Sequence, residues 1–268
     1  LSKEVFFLYV TKSGRDVFAA HEVVLSSLAV RAPLPGGYSY LYLPRGPVIN
    51  NKNMEQETRD AFFAIISCAK EYFSPKTLFV RMEPNIENSP FVKHLTRELA
   101  LIKSISLQPQ VTSIIDLTKD DADLLAQCWQ KTRYNINLSD RKGVVITKDD
   151  ASFEEFWTLM KQTAHRNEFH VHPKSYYEAL YCARDDDSSG APVHIYFARH
   201  DSDILAEAMV AVFKNRAYYL HGASSDKKKN YMASHLLQWR IIQDLRDSDV
   251  ISYDLWGKNS SRAASDIE

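Results

Sequence analysis

The stretch from His194 to Trp256 constrains the fold more than any other part of the chain. His194 to Arg199 reads as a strand, the polar quartet His200-Asp-Ser-Asp203 as a turn, and Ile204 to Phe213 as a second strand. Lys214-Asn-Arg216 turns the chain again, and Ala217 to Ser225 makes a third strand. Asn230 to Leu245 then changes to helical spacing, with Met232, Leu236, Leu237, Trp239, Ile241 and Leu245, before Val250 to Trp256 returns to strand character. Short turns join antiparallel strands, but a strand reached through a helix needs a crossover. The fourth strand is therefore expected to lie parallel to the third, in a mixed sheet. That order places the chain in the α/β class.

The remainder is compatible with the same class. His21 to Val30 is mostly apolar and strand-compatible, Leu34-Pro-Gly-Gly37 breaks the chain, and Tyr38 to Leu43 is a strand run ending at Pro44. Phe62, Phe63, Ile66 and Ala69 recur at helical spacing between Met54 and Phe73, and Thr77 to Glu83 alternates as a strand. A second set of elements starts near Val111: a short strand at Ile114 to Leu117, then Thr118 and Asp121 as helix-start signals. Ser152-Phe-Glu-Glu155 is a capping box, in which hydroxyl and carboxylate reciprocally satisfy free N–H groups. The helix after it carries Phe153, Phe156, Trp157, Met160 and Ala164 on one face. These patterns divide the chain into residues 1–110 and 111–268, meeting near 101–111, and permit the two parts to be copies of one fold.

Composition narrows function by exclusion. The chain has 268 residues, 45% hydrophobic, which is ample for packed cores. No run of 18 apolar residues occurs, so no membrane-spanning helix is expected. A net charge of −1 argues against a surface wholly given to nucleic acid, while leaving local basic patches open. The opening Leu1-Ser-Lys-Glu-Val-Phe-Phe-Leu lacks the regions of a secretory signal. Cys68, Cys128 and Cys182, odd in number and far apart, read as reduced core thiols of a cytoplasmic protein. No Gly-x-Ser-x-Gly, P-loop or Gly-x-Gly-x-x-Gly is present, which removes common hydrolase, NTPase and Rossmann readings.

Four segments can carry chemistry. After the third strand comes Ser224-Ser-Asp-Lys-Lys-Lys229, where a strand enters a helix; free N–H groups, Lys227, Lys228, Lys229, Ser224 and Ser225 suit an anion, and a solvated, Ser-capped turn is the plain alternative. Trp129 to Ile136 combines Lys131, Arg133 and Tyr134, a mixture fit for a phosphate or nucleotide surface, or for an ordinary helix end. Thr163 to His172 holds three histidines without metal-ligand spacing; Arg166 is the better candidate there, as an anion contact or a helix-end cation. Arg45, at a strand end beside Gly46, is a substrate contact or part of a structural turn.

Taken in order, Tyr42-Leu-Pro-Arg-Gly-Pro-Val48, Trp129 to Ile136, Thr163 to Phe169, Tyr176-Tyr177, Tyr219-Leu-His-Gly-Ala-Ser-Ser225, Asn230 to Trp239 and Tyr253-Asp-Leu-Trp-Gly257 resemble the Fem family. These are aminoacyl-tRNA-dependent peptidyltransferases of bacterial cell-wall synthesis. The resemblance implies two acetyltransferase-like (GNAT) domains with mixed twisted sheets flanked by helices. The first would serve the acceptor and the second the aminoacyl donor, without the long helical arm of some relatives. It implies amide formation between an amino acid on tRNA and an amine of the peptidoglycan precursor, either UDP-MurNAc-pentapeptide or its lipid-linked form. No cofactor and no metal are implied, and the chain is expected to be a monomer touching the membrane peripherally.

The resemblance favours Tyr219 as the catalytic residue in the cleft, with Tyr219 and His221 expected on opposite faces of their strand so that only one points inward. Arg166, Arg45, Lys131, Arg133, Tyr134, Ser224 and Ser225 are the expected substrate contacts, and Lys227, Lys228 and Lys229 the tRNA contacts. No general base is evident. Two rivals stay open. An acyl-CoA N-acyltransferase shares the strand order, although the turn from Ser225 to Tyr231 has no glycine to admit a pyrophosphate. A catalytically impaired binding module is the other, because the chain reads Lys258 to Glu268 where family members usually carry a Phe-Lys segment.

Overall fold

The computed structural model describes residues 4–11, 23–49, 55–72, 75–86, 89–150, 152–182 and 191–257. The chain forms two compact units, Leu1–Gln108 and Pro109–Glu268.

In the first unit, β1 (Val5–Thr11), β2 (Val23–Pro33) and β3 (Ser39–Leu43) are antiparallel neighbours, and the two-residue β4 (Val48–Ile49) also pairs with β2. Helix α1 (Glu55–Tyr72) then crosses over to β5 (Thr77–Met82), which lies parallel to β3. Helix α2 (Pro90–Glu98) follows, capped by the Ser89 hydroxyl accepting from Val92 N–H. Leu25, Ala29, Leu41 and Leu43 of the sheet pack with Ala61, Phe62 and Ile65 of α1 and with Leu95 of α2. Between β3 and β4, Arg45 takes a left-handed conformation at φ 52°. Gly46 beside it lies so close to β2 that a Cβ there would stand 2.2 Å from Ser27 Oγ. Its carbonyl accepts from Glu83 N–H, fixing this turn against the end of β5.

The second unit opens with β6 (Thr112–Asp116), α3 (Asp121–Gln127), α4 (Gln130–Arg141), β7 (Val145–Lys148), α5 (Phe153–Arg166) and α6 (Lys174–Cys182). It closes with β8 (Val193–His200), β9 (Asp203–Phe213), β10 (Arg216–Ser224), α7 (Ala233–Asp247) and β11 (Ser252–Gly257). The sheet order is β6-β11-β10-β9-β8-β7, and β10 with β11 is its one parallel pair. Both units thus repeat one plan: three antiparallel strands, a crossover helix, and a fourth strand parallel to the third. The expected α/β class with two acetyltransferase-like sheets is what the chain adopts. Among the described residues there is no long helical arm, and no helix is long and apolar enough to cross a membrane.

Two apolar clusters flank the second sheet. One joins Leu236, Leu237, Ile241 and Leu245 of α7 to Ala206, Ala208 and Val210 of β9 and Tyr253 of β11. The other joins Phe156, Leu159 and Met160 of α5 and Tyr177 of α6 to Ile195, Phe197 and Met209. The capping box forms as read: Glu155 N–H donates to Ser152 Oγ, and Ser152 N–H to the Glu155 carboxylate. Helix α3 begins at the expected Asp121, but its cap is neither of the expected signals. Asp120 is its cap, accepting from Asp123 N–H at 2.8 Å, while the Thr118 hydroxyl is held by Asp116. The cysteines depart from the core-thiol expectation. Cys128 is half-buried and Cys182, at the last turn of α6, is exposed; the Cys68 side chain lies outside the described residues.

Candidate functional site

The parallel ladder between β10 and β11 is short. It joins only Arg216, Ala217 and Tyr218 to Ser252, Tyr253 and Asp254, after which β10 continues to Ser224 against β9 alone. Just past that point β10 carries a bulge: Tyr219 lies opposite Val210, but His221 lies opposite Met209, so Leu220 is the extra residue. A bulge bends a strand and re-aims its side chains. On a regular strand residues 219 and 221 share a face. Here Tyr219 packs against the α7 cluster, while His221 turns to His172, Tyr176 and Tyr177 on the other side. The expected opposition of the two residues is found, and the extra residue causes it. Burial, with His172 beside it, pushes the His221 imidazole down to about 4, so it is neutral at pH 7.

A cavity of about 220 Å³ opens where the strands part, lined from β9 by Ala206 and Glu207, from β10 by Tyr219, Gly222, Ala223 and Ser224, from α5 by Thr163 and Asn167, and from α7 by Ser234, Leu237 and Gln238. The Tyr219 hydroxyl lies over bare Gly222, where a Cβ would stand 1.7 Å from the phenol oxygen. Burial and the nearby Glu207 carboxyl hold the Tyr219 phenol above its ordinary range, which keeps it a hydrogen-bond donor. Glu207 is 1% exposed, between Phe197 and Ala223 on the flanking strands, and neither carboxyl oxygen has a hydrogen-bond partner among the described residues. Burial raises its pKa well above the usual carboxylate range. Sequence reading missed this residue. The signal was present, since Glu207 is the one ionisable side chain between Ile204 and Phe213, and a strand covered on both faces reads as a continuous apolar run.

The end of β10 is held by α5. Thr163 Oγ1 accepts from Ser224 N–H and donates to Ser224 C=O, both at 3.0 Å, taking the place of a neighbouring strand. Arg166, expected at an anion of the acceptor, is engaged by the chain itself. Its Nη1 donates to Ser224 C=O at 2.7 Å, its Nη2 to Ser224 Oγ at 3.0 Å, and it lies 3.4 Å from the Asp226 carboxylate. Ser225 is buried, donating its N–H to Leu205 C=O and accepting from Lys227 N–H at its hydroxyl.

The lysine turn is electrostatically quieter than its sequence suggests, because each lysine has a carboxylate. Lys227 meets Asp203 at 2.7 Å, Lys228 meets Asp201 at 3.1 Å and Asp203 at 3.2 Å, and Lys229 meets Asp226 at 2.5 Å. Hydrogen bonds from Lys227 and Lys228 hold the Asp203 carboxyl below its ordinary range. Three of the expected contacts lie on α4 rather than on the cavity wall. Lys131 and Tyr134 are exposed there, and Arg133 closes the end of α3 by donating to the carbonyls of Leu125 and Cys128. Their helix reaches α7 through Asn135, 3.2 Å from His235 Nε2. Arg45 belongs to the first unit, in the turn described above.

The model of the FemAB family matches residues 16–198 and 192–266. A lipid II:glycine glycyltransferase of Staphylococcus aureus (strain COL) is 21% identical over 83% of this chain and 70% of its own length. Among solved structures, FemX superposes with a TM-score of 0.75 at 18% identity, covering 96% of this chain and 80% of FemX. A tandem GNAT protein from the clavulanic acid pathway superposes at 0.57 with 12% identity, covering 99% of this chain and 78% of that one. Both likenesses show the fold.

Proposed function

The chain belongs to the FemAB family, and on that footing we propose that it is an amino-acid transferase. In this reading it moves an amino acid from aminoacyl-tRNA onto an amine of the peptidoglycan precursor, extending the stem peptide toward an interpeptide bridge. The observation that carries this reading is the family match through both units, with relatives whose names specify glycyl transfer to lipid II.

The cavity between β10 and α7 suits such a reaction. An aminoacyl ester is already activated, so catalysis needs orientation, a deprotonated amine, and a donor aimed at the oxyanion of the tetrahedral intermediate. Tyr219 is the proposed donor: its hydroxyl lines the cavity and burial keeps it protonated. Arg166 and Thr163 act as positioning residues, fixing the Ser224 end of the cleft. Arg45 remains the proposed acceptor contact of the first unit. Lys131, Arg133 and Tyr134 remain proposed substrate contacts, and the lysine turn remains the proposed contact for the tRNA donor. There a polyanion must compete with Asp201, Asp203 and Asp226 for the lysines.

The experiment combines the purified chain, tRNA charged with labelled amino acids, and either UDP-MurNAc-pentapeptide or lipid II. Label entering the precursor, abolished by prior ribonuclease treatment, is the expected result. No transfer from any charged tRNA, together with acylation of an amine by acetyl-CoA, overturns the proposal in favour of an ordinary acyl-CoA enzyme.

A further inference from the structure

Glu207 has no part in the chemistry above, yet burying a carboxyl without a partner is costly enough that chains rarely keep one idle. It is the one carboxylate among the buried, partnerless side-chain groups of the described residues. Among the described residues no lysine, arginine or histidine lines its cavity, and the cations at the Ser224 end are committed elsewhere: Arg166 to Ser224 and Asp226, Lys227 to Asp203. Burial therefore keeps the carboxyl protonated while the cavity is empty, with its O–H and both oxygens unpartnered, and a ligand cation would supply the hydrogen bonds and charge that the chain does not. Ala206, Gly222, Ala223 and Leu237 line the cavity with apolar atoms suited to a carbon chain, and Asn167, Ser234 and Gln238 add polar groups.

We propose that this cavity is the subsite for the acceptor's primary amine, and that Glu207 is the general base that takes its proton. The inference rests on the transfer reading above and names the residue that reading lacks. Burial disfavours the charged form of both partners, so an ammonium–carboxylate pair enclosed here relaxes toward neutral amine and carboxylic acid. The neutral amine is the nucleophile. The carboxyl, protonated in the empty cavity, releases that proton to water as the ammonium enters; one ammonium proton then passes to Glu207, the nitrogen forms a bond to the ester carbonyl carbon, and the carbon–oxygen bond to the tRNA ribose breaks. The second nitrogen proton ends on the departing ribose oxygen, and Glu207 returns its proton to water as the amide leaves. The titratable group facing Glu207 is Tyr219 on β10, with Tyr253 of β11 beyond it; α5 and α7 present the neutral Thr163, Asn167, Ser234 and Gln238, and β8 presents Phe197.

The test has a binding arm and a transfer arm. n-Butylamine is expected to raise the melting temperature of the wild-type chain by a few degrees where n-butanol does not, and to lose that effect in Glu207→Gln. In transfer, Glu207→Gln should slow reaction with the natural amine by about 10²- to 10⁴-fold at pH 7. It should act nearly normally on a synthetic precursor whose amine is fluorinated to lower its basicity, because that amine needs no base. Equal stabilisation of wild type and variant by butylamine, or none, overturns the amine subsite. An equal loss with both acceptors overturns the role as base. Glu207-dependent amine binding in a chain that transfers nothing supports the subsite and overturns the transfer reading instead.

Discussion

Replacing Gly222 by alanine probes the cleft at its tightest point. Gly222 has an ordinary extended backbone, so the substitution introduces no strain of its own and acts only through space. The new Cβ would stand 1.7 Å from the Tyr219 hydroxyl oxygen, 2.7 Å from Cζ and 3.1 Å from Cε2. Ordinary contact is about 3.5 Å, so the phenol oxygen must retreat by about 1.8 Å. The ring packs against the α7 cluster and cannot swing freely. Overpacking of this kind costs about 1–3 kcal/mol. For a unit of this size that is a drop of roughly 2–12 °C in melting temperature. Transfer should fall as well, since the donor hydroxyl leaves its place. Because Cζ is also too close, Tyr219→Phe should not rescue Gly222→Ala, whereas Tyr219→Ala should. Calorimetry on the two single variants and the double variant should therefore show the double less destabilised than the sum, by about 1–3 kcal/mol. An unchanged melting temperature in Gly222→Ala, or additive losses in the cycle, would refute the steric reasoning.

Thr163→Val keeps the shape of the side chain but leaves Ser224 N–H without its acceptor, while Arg166 still serves the carbonyl. A loss of about 1–3 kcal/mol in chemical denaturation is expected, and Thr163→Ser should restore most of it. Glu207→Gln should grow more stable relative to wild type as pH rises above the ordinary glutamate value of 4.5. The unfolded wild-type chain then releases a proton that the folded chain retains, a slope of up to about 1.4 kcal/mol per pH unit; a difference that stays flat from pH 5 to 8 would contradict the burial argument. Burial alone would raise Asp149, but hydrogen bonds from His194 Nδ1 at 3.1 Å and Ile195 N–H at 2.7 Å outweigh it and hold the carboxyl below its ordinary range. Its contribution is present above pH 3.8 and is lost as pH falls through the folded carboxyl's pKa. Asp149→Asn, tolerated at this left-handed position, should accordingly be less stable than wild type at pH 7 and match it more closely near pH 3 in urea titrations.

What the sequence by itself determined is what depends on near neighbours. The Ser152–Glu155 capping box, the glycine turn at Gly36 and Gly37, and the strand–strand–strand–helix–strand order with its parallel final pair all follow from residues a few positions apart, and the structure has each of them. Order and spacing of short motifs also carried the family resemblance. Other features were hidden because they depend on which distant segments meet. Helix α6 is rich in tyrosine and reads poorly as a helix, yet Tyr177 is 2% exposed against Phe156 and Trp157, and that packing overrides local preference. The lysine run reads as a free basic patch until the β8–β9 turn brings Asp201 and Asp203 against it from some 25 residues upstream. The opposition of Tyr219 and His221 was expected, but its cause was hidden: alternation puts residues 219 and 221 on one face, and only the one-residue mismatch with β9 separates them. Glu207 is the sharpest case. Its apolar strand says that the carboxyl is inside, but that no cation among the described residues joins it there was decided by the packing of α5, α7 and β10 around it, because burial, charge pairing and register are properties of the closed chain and not of any stretch along it.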